Sequence, residues 1–156
     1  MTTRPRRAIV AAGGPRRDPL PRDGFCSMAT VTAVEPKVTR EQRAAIGEAV
    51  VRLERQFYGR GPSSVRVSVT EESPVSIVAL SVDSLTAADR TLNARGGEDA
   101  VRRHVEALNA ATREDFVRAI EEIVEQPVTA YLAQIHPLTG YGIRVFLFDE
   151  GEQTEI

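Results

Sequence analysis

The chain is predicted to adopt an α+β fold: two helix–β-hairpin units forming a four-stranded antiparallel sheet with helices packed on one face. Three observations predict it. A helical apolar period over residues 39–58 stops at Gly59-Arg60-Gly61-Pro62, and alternating apolar residues begin directly afterwards. A second, longer helical period closes at Gln126-Pro127. Two further strand-like runs follow it, so the helix-then-ribbon pattern occurs twice, as either an old internal duplication or the common reuse of this arrangement in α+β domains would leave it.

The first helix starts at Thr39, which has capping-box spacing with Gln42. Ile46, Val50, Leu53 and Phe57 mark its apolar face, and Arg43, Glu48, Arg52 and Glu54 are assigned to the other faces. Gly59 suits a left-handed helix end, and Pro62 bars continuation. Val65, Val67 and Val69 then alternate with Arg66, Ser68 and Thr70, the pattern of a half-buried strand. Beyond the polar turn Glu71–Pro74, residues 75–82 are apolar on both faces, as in a central strand or one covered by a second subunit. Thr86 and Asp89 cap a short helix ending near Gly96-Gly97. From Glu98, the residues Val101, Val105, Leu108, Phe116, Ile120 and Ile123 keep one phase with Thr112 in the gap, which predicts a single helix of roughly 28 residues. A break near Asn109–Thr112, with Thr112 and Asp115 as a fresh cap, is the alternative. Residues 128–135 and 143–148 form the last two strands around the turn His136–Gly140.

Residues 1–35 hold six arginines against Asp18, Asp23 and Glu35, without an amphipathic period. They are expected to be a disordered basic tail, with residues 38–150 as a single α+β domain. The tail lacks the continuous apolar core of a secretory signal, and Met28 offers an alternative start. No apolar run approaches the ~18 residues of a membrane span, so direct membrane insertion is not expected. The lone Cys26 allows no internal disulfide, which fits a cytoplasmic location. The balance of the chain is acidic and repels phosphate backbones at long range, so no nucleic-acid partner is expected. Uncovered apolar area and edge strands point to a homodimer.

Candidate ligand-binding residues are Tyr58, Gly59, Arg60, Gly61, Arg66 and His136. Amides around two glycines, with arginines beside them, can hold a phosphate or carboxylate. The string is no P-loop, since it follows a helix and lacks the Gly-Lys-Ser/Thr ending. A structural corner with exposed arginines is the plainer reading. His136 has no evident nucleophile beside it and is read as a turn histidine bonded to backbone. His104 is read as solvated. Glu121 and Glu125 are one turn apart on a face expected to be wet, and Arg118 can pair with Glu121, Glu122 or Glu114, so a solvated, salt-bridged surface is preferred to a metal site. Tyr131, Phe146 and Phe148 are read as core, not as base-stacking platforms. No metal, no cofactor and no catalytic residue is assigned, and the chain is expected to be non-enzymatic.

Four strings carry a family resemblance: Phe57-Tyr58-Gly59-Arg60-Gly61-Pro62 with Val65-Arg66; Leu85-Thr86 through Asp89 and Leu92; Glu98-Asp99-Ala100-Val101-Arg102; and Ala130-Tyr131-Leu132 leading to His136-Pro137. Together they make residues from about Arg40 to Asp149 similar to the small bacterial MpsC-like family. The family pattern prefers lysine where Arg60 stands and an acidic residue where Leu138 stands, so a cation would find no carboxylate at that turn. The resemblance implies an accessory or regulatory role in a sodium-translocating, membrane-potential-generating system. It also implies an integral-membrane transport complex as partner and a place at most peripheral to the membrane. A small-anion or nucleotide sensor built on the Gly-Arg-Gly-Pro corner is the alternative.

Overall fold

The structure is a computed structural model and describes residues 37–149. The expected basic tail, residues 1–35, lies outside the described residues. Three helices and four strands follow in the order α1 (Arg40–Tyr58), β1 (Ser64–Thr70), β2 (Val75–Val82), α2 (Ala87–Ala94), α3 (Glu98–Val124), β3 (Ala130–Ile135) and β4 (Gly142–Phe148). The fold is α+β with one antiparallel sheet of strand order β1-β2-β4-β3.

Local chemistry sets the helix limits. Thr39 and Gln42 exchange side-chain and backbone hydrogen bonds in a full capping box, and Thr86 and Asp89 do the same for α2. Gly59 closes α1 with φ 77°, a left-handed conformation that a β-carbon resists. The 27 residues of α3 run unbroken for about 40 Å. The alternative break does not occur: Thr112 Oγ1 donates to the Leu108 carbonyl at 2.8 Å within the continuous helix. Helix α3 ends at Glu125, in left-handed conformation, just before Pro127.

Helices α1 and α3 run antiparallel. Gln42, at the start of α1, donates to the Ile123 carbonyl near the end of α3, while Tyr58, at the end of α1, donates to Asn109 in mid-α3. Their apolar faces meet one face of the sheet. Ile46, Val50 and Leu53 of α1 and Phe116, Ile120 and Val124 of α3 close over Val75, Ile77, Tyr131, Phe146 and Phe148. A second cluster joins Tyr58, Leu85, Val101, Val105 and Ile135. Each such side chain contributes about 1.5–3 kcal/mol on full burial. The three aromatics read as core are core.

The other face of the sheet is not covered by any described element; it is largely apolar across β2, β4 and β3 and polar along β1, where Ser64, Arg66, Ser68 and Thr70 stand. Ile77 and Ala79 are fully buried on the helix side, whereas Val78, Leu80 and Val82 alternate with them and are only half-buried. Leu132 and Ile143 on the same outer face are 62% and 42% exposed. β2 is a central strand, hydrogen-bonded to β1 and β4, but the helices cover only its inner row, and its apolar outer row is left open among the described residues.

Three readings of single residues need correction. Glu54 does not face water: it is completely buried. His104 is not simply solvated, since its Nδ1 lies 2.6 Å from the carboxylate of buried Asp89. Arg118 forms no ion pair among the described residues. Glu121 instead accepts from the Val128 amide at 2.8 Å, which fastens the turn after α3.

Candidate functional site

Two polar constellations lie toward the sheet end where β1 begins and β2 ends. The inner one is built on Glu54 and Arg144, whose side chains are 0% and 1% exposed. Position 54 is one turn after Val50 and one turn before Tyr58, so the α1 stripe that faces the sheet includes it. Arg144 shares the period-2 row of Phe146 and Phe148. Helix and strand thus each deliver one charge to the same dry interior.

Arg144 Nη1 donates to Glu54 Oε1 at 2.5 Å, and Nη2 donates to the Tyr58 hydroxyl at 2.7 Å. Tyr58 in turn donates its hydroxyl hydrogen bond to Asn109 Oδ1 at 3.1 Å. Ser81 Oγ donates to Glu54 Oε1 at 2.8 Å and Ser84 Oγ to Oε2 at 2.9 Å. The Phe116 ring covers the guanidinium, with 4.2 Å from Cζ to the ring centroid. Arg144 Nε has no hydrogen-bond partner among the described residues. Gly142 leaves the space through which Ser84 approaches, because a β-carbon there would stand 3.1 Å from Ser84 Oγ.

Burial opposes the charge on Arg144, but Glu54, with Tyr58 and Tyr131, outweighs it and leaves the guanidinium pKa raised. Burial also raises the Tyr58 phenol and pushes Tyr131 up to about 12, against the opposing charge of Arg144. Arg144 therefore stays charged beside Glu54, and the phenols stay protonated at neutral pH. Its geometry clamps α1, β4 and α3 together. It is sealed from solvent, which gives a substrate no access.

The outer constellation surrounds Asp83, in left-handed conformation at φ 69°. Its carboxylate accepts from Arg60 Nη2 at 2.6 Å, from Ser63 Oγ at 3.1 Å and from Arg90. Slight desolvation raises its pKa, but the Ser63 hydrogen bond and the two arginines outweigh this and leave it lowered. The Gly-Arg-Gly-Pro corner is thereby tied to the end of β2 and to α2.

The six candidate ligand residues do not share one surface. Tyr58 is a buried member of the inner constellation. Gly59 supplies the helix end, and Gly61 packs beside Val51 and Arg55. Arg60 is held by Asp83. Arg66 lies on the outer sheet face, opposite Leu80. His136 follows β3, on the opposite edge from β1, and its Nδ1 accepts from the Thr139 amide at 3.2 Å inside the turn. Sequence reasoning passed over Glu54, Ser81, Ser84, Asp83 and Asn109. The available signal was one acid and one base, each alone on an apolar face.

Among the described residues, no three or more His, Cys, Asp or Glu side chains gather as a metal site. No described helix is long and apolar enough to cross a membrane.

Together these features define a helix-covered α+β domain with a sealed charge centre and one uncovered apolar sheet face. A family model described as "MpsC: Na+-translocating membrane potential-generating system (MpsC)" matches residues 39–150, and the chain belongs to that family. No curated protein and no solved structure matches it.

Proposed function

We propose that the chain is a non-enzymatic accessory subunit of a sodium-translocating, membrane-potential-generating system, and that it docks through the open face of its sheet. The observation that carries this reading is the uncovered apolar row of β2, β4 and β3, with Leu132 and Ile143 most exposed. A patch of this kind marks a contact with a protein, a membrane or a ligand, and in this reading the contact is with a protein. Family membership supplies the system. In this reading the protein is cytoplasmic and peripheral to the membrane, and the free form is a homodimer that shields the same face.

The two helix–hairpin units are read here as copies of one ancestral unit. The order β1-β2-β4-β3 supports this, because a two-fold axis between the hairpins generates it, with β2 and β4 antiparallel at the centre. The pairing of Arg60 with Asp83 disfavours the alternative of an anion sensor at the corner.

The test is recovery of the native protein from gently solubilised membranes. It is expected to co-purify with an integral-membrane complex, and Ile143→Glu is expected to remove that association while leaving the fold intact. Recovery of the wild type only as a free oligomer contradicts the reading.

A further inference from the structure

A groove of about 680 Å³ runs between α1 and the edge strand β1, on the helix side of the sheet. Its floor is apolar and only half-buried. Val65 and Val67 point toward α1 from β1, yet they keep partial exposure, whereas Ser81 and Ala79 beside them on β2 are sealed. The helix side is lined by Ala44, Gly47 and Val51. A β-carbon at Gly47 would stand 3.7 Å from Val67 Cγ2, so helix and strand are in contact there while the small residues leave the outer part of the groove open.

The rim is cationic and divided. Arg40 and Arg43 stand at one end of the groove, Arg52 and Arg55 at the other, and Glu48 is the one acid between them. None of the four arginines is ion-paired with a described residue. The described residues as a whole carry 14 basic and 16 acidic side chains, so this concentration goes against the overall balance. The two ends are about 18 Å apart along the helix, at ~1.5 Å per residue. About six residues of extended chain span that distance at ~3.3 Å each. Strand β1 is an edge, so one side of its backbone has no ladder partner among the described residues.

We propose that this groove binds an extended acidic peptide segment of a partner protein, which adds to the sheet as a strand beside β1. Its helix-facing row is apolar in the middle, against Val65, Val67 and Gly47, and carries carboxylates six residues apart at the two ends, each met by an arginine pair. Main-chain hydrogen bonds to β1 supply register, and the arginines supply selection. A second copy of this chain is a poor occupant: pairing two β1 edges about a two-fold axis would set Arg40 and Arg43 of one α1 against Arg52 and Arg55 of the other. A membrane is poor as well, because the arginines border a concave cleft. The site is separate from the outer sheet face, and the proposal stands whether or not that face docks.

The test uses the full chain and the capped peptide Glu-Ser-Val-Thr-Val-Ser-Glu, with fluorescence anisotropy as readout. Binding is expected, at least tenfold weaker for the Lys-ended version and for a peptide N-methylated at alternate amides. Arg43→Glu with Arg52→Glu, two exposed positions, is expected to reverse the preference toward the Lys-ended peptide with the fold unchanged by circular dichroism. Gly47→Leu, which fills the groove, is expected to abolish binding of either. Equal binding of acidic and basic peptides overturns the proposal, as does indifference to N-methylation or failure of the acidic peptide to bind. Binding to phosphatidylglycerol vesicles with no peptide binding overturns it in favour of a lipid surface.

Discussion

Glu54–Arg144 and Asp83–Arg60 are both carboxylate–guanidinium pairs, yet they do different work. The first is sealed: its side chains are 0% and 1% exposed, and two serines, a tyrosine and a phenylalanine ring surround it. The second is at the surface, where the Arg60 and Asp83 side chains keep 43% and 31% of their exposure. Water screens the second pair, and surface ion pairs contribute about 0–1 kcal/mol. In the first, removing one partner strands the other without solvent, at a cost of about 3–5 kcal/mol. Burial, more than charge or distance, decides which pair is a structural keystone and which is a local fastening.

The largest effect expected from this contrast is in Arg144→Ala, which leaves Glu54 buried and unpaired. Chemical denaturation should show a loss of about 3–5 kcal/mol. Replacing both charges, Glu54→Met with Arg144→Met, should recover much of that loss, because the penalty arises from the unpaired charge. A double variant as unstable as the single one would mean that the hydrogen bonds to Ser81, Ser84 and Tyr58 carry the energy instead.

The phenols beside the inner pair give a pH signature. The folded Tyr131 pKa is raised to about 12 from an ordinary 10.0, and Tyr58 is shifted in the same direction. The Tyr131 contribution is complete below about pH 10 and is lost as pH rises through about 12, since the unfolded chain releases the proton first, and Tyr58 adds a loss in the same direction. Wild-type stability should therefore fall across that window, by about 2–3 kcal/mol for Tyr131 alone. Tyr131→Phe should flatten that part of the curve, and an unchanged slope would place the phenol in contact with water.

Gly59→Ala should cost roughly 1–2 kcal/mol, because the left-handed backbone disfavours a β-carbon although no atom lies within 4 Å of it. The smallest effect belongs to the outer pair. Asp83→Asn, which tolerates the positive φ, should cost no more than about 1 kcal/mol at neutral pH. The folded Asp83 pKa is lowered, so its contribution is present above the ordinary value of 3.8 and is lost as pH falls below it. The difference between wild type and variant should therefore vanish in acid. A loss for Asp83→Asn as large as for Arg144→Ala would erase the distinction between the two pairs.

Much of the fold could be read from local chemistry. The two capping boxes, the Gly59 stop, the unbroken α3 and the strand spans all follow from near neighbours in sequence. The pairing of β2 with β4 does not, because it joins residues about 70 positions apart. The inner charge centre was half-visible: Arg144 interrupts an apolar row, and Glu54 is one turn from both Val50 and Tyr58. Counting Glu54 with the polar faces of α1 followed its residue type and missed its place in the helical period. The Asp83 fastening was invisible from sequence, since nothing local announces that a carboxylate will sit between Arg60 and Arg90.

Docking through the open sheet face is tested most directly by sodium-dependent membrane potential in cells lacking this protein. Wild type is expected to restore the potential, and a folded Leu132→Glu, Ile143→Glu variant is expected not to. Full restoration by that variant, or an undiminished potential in the deletion strain, would contradict the proposed role.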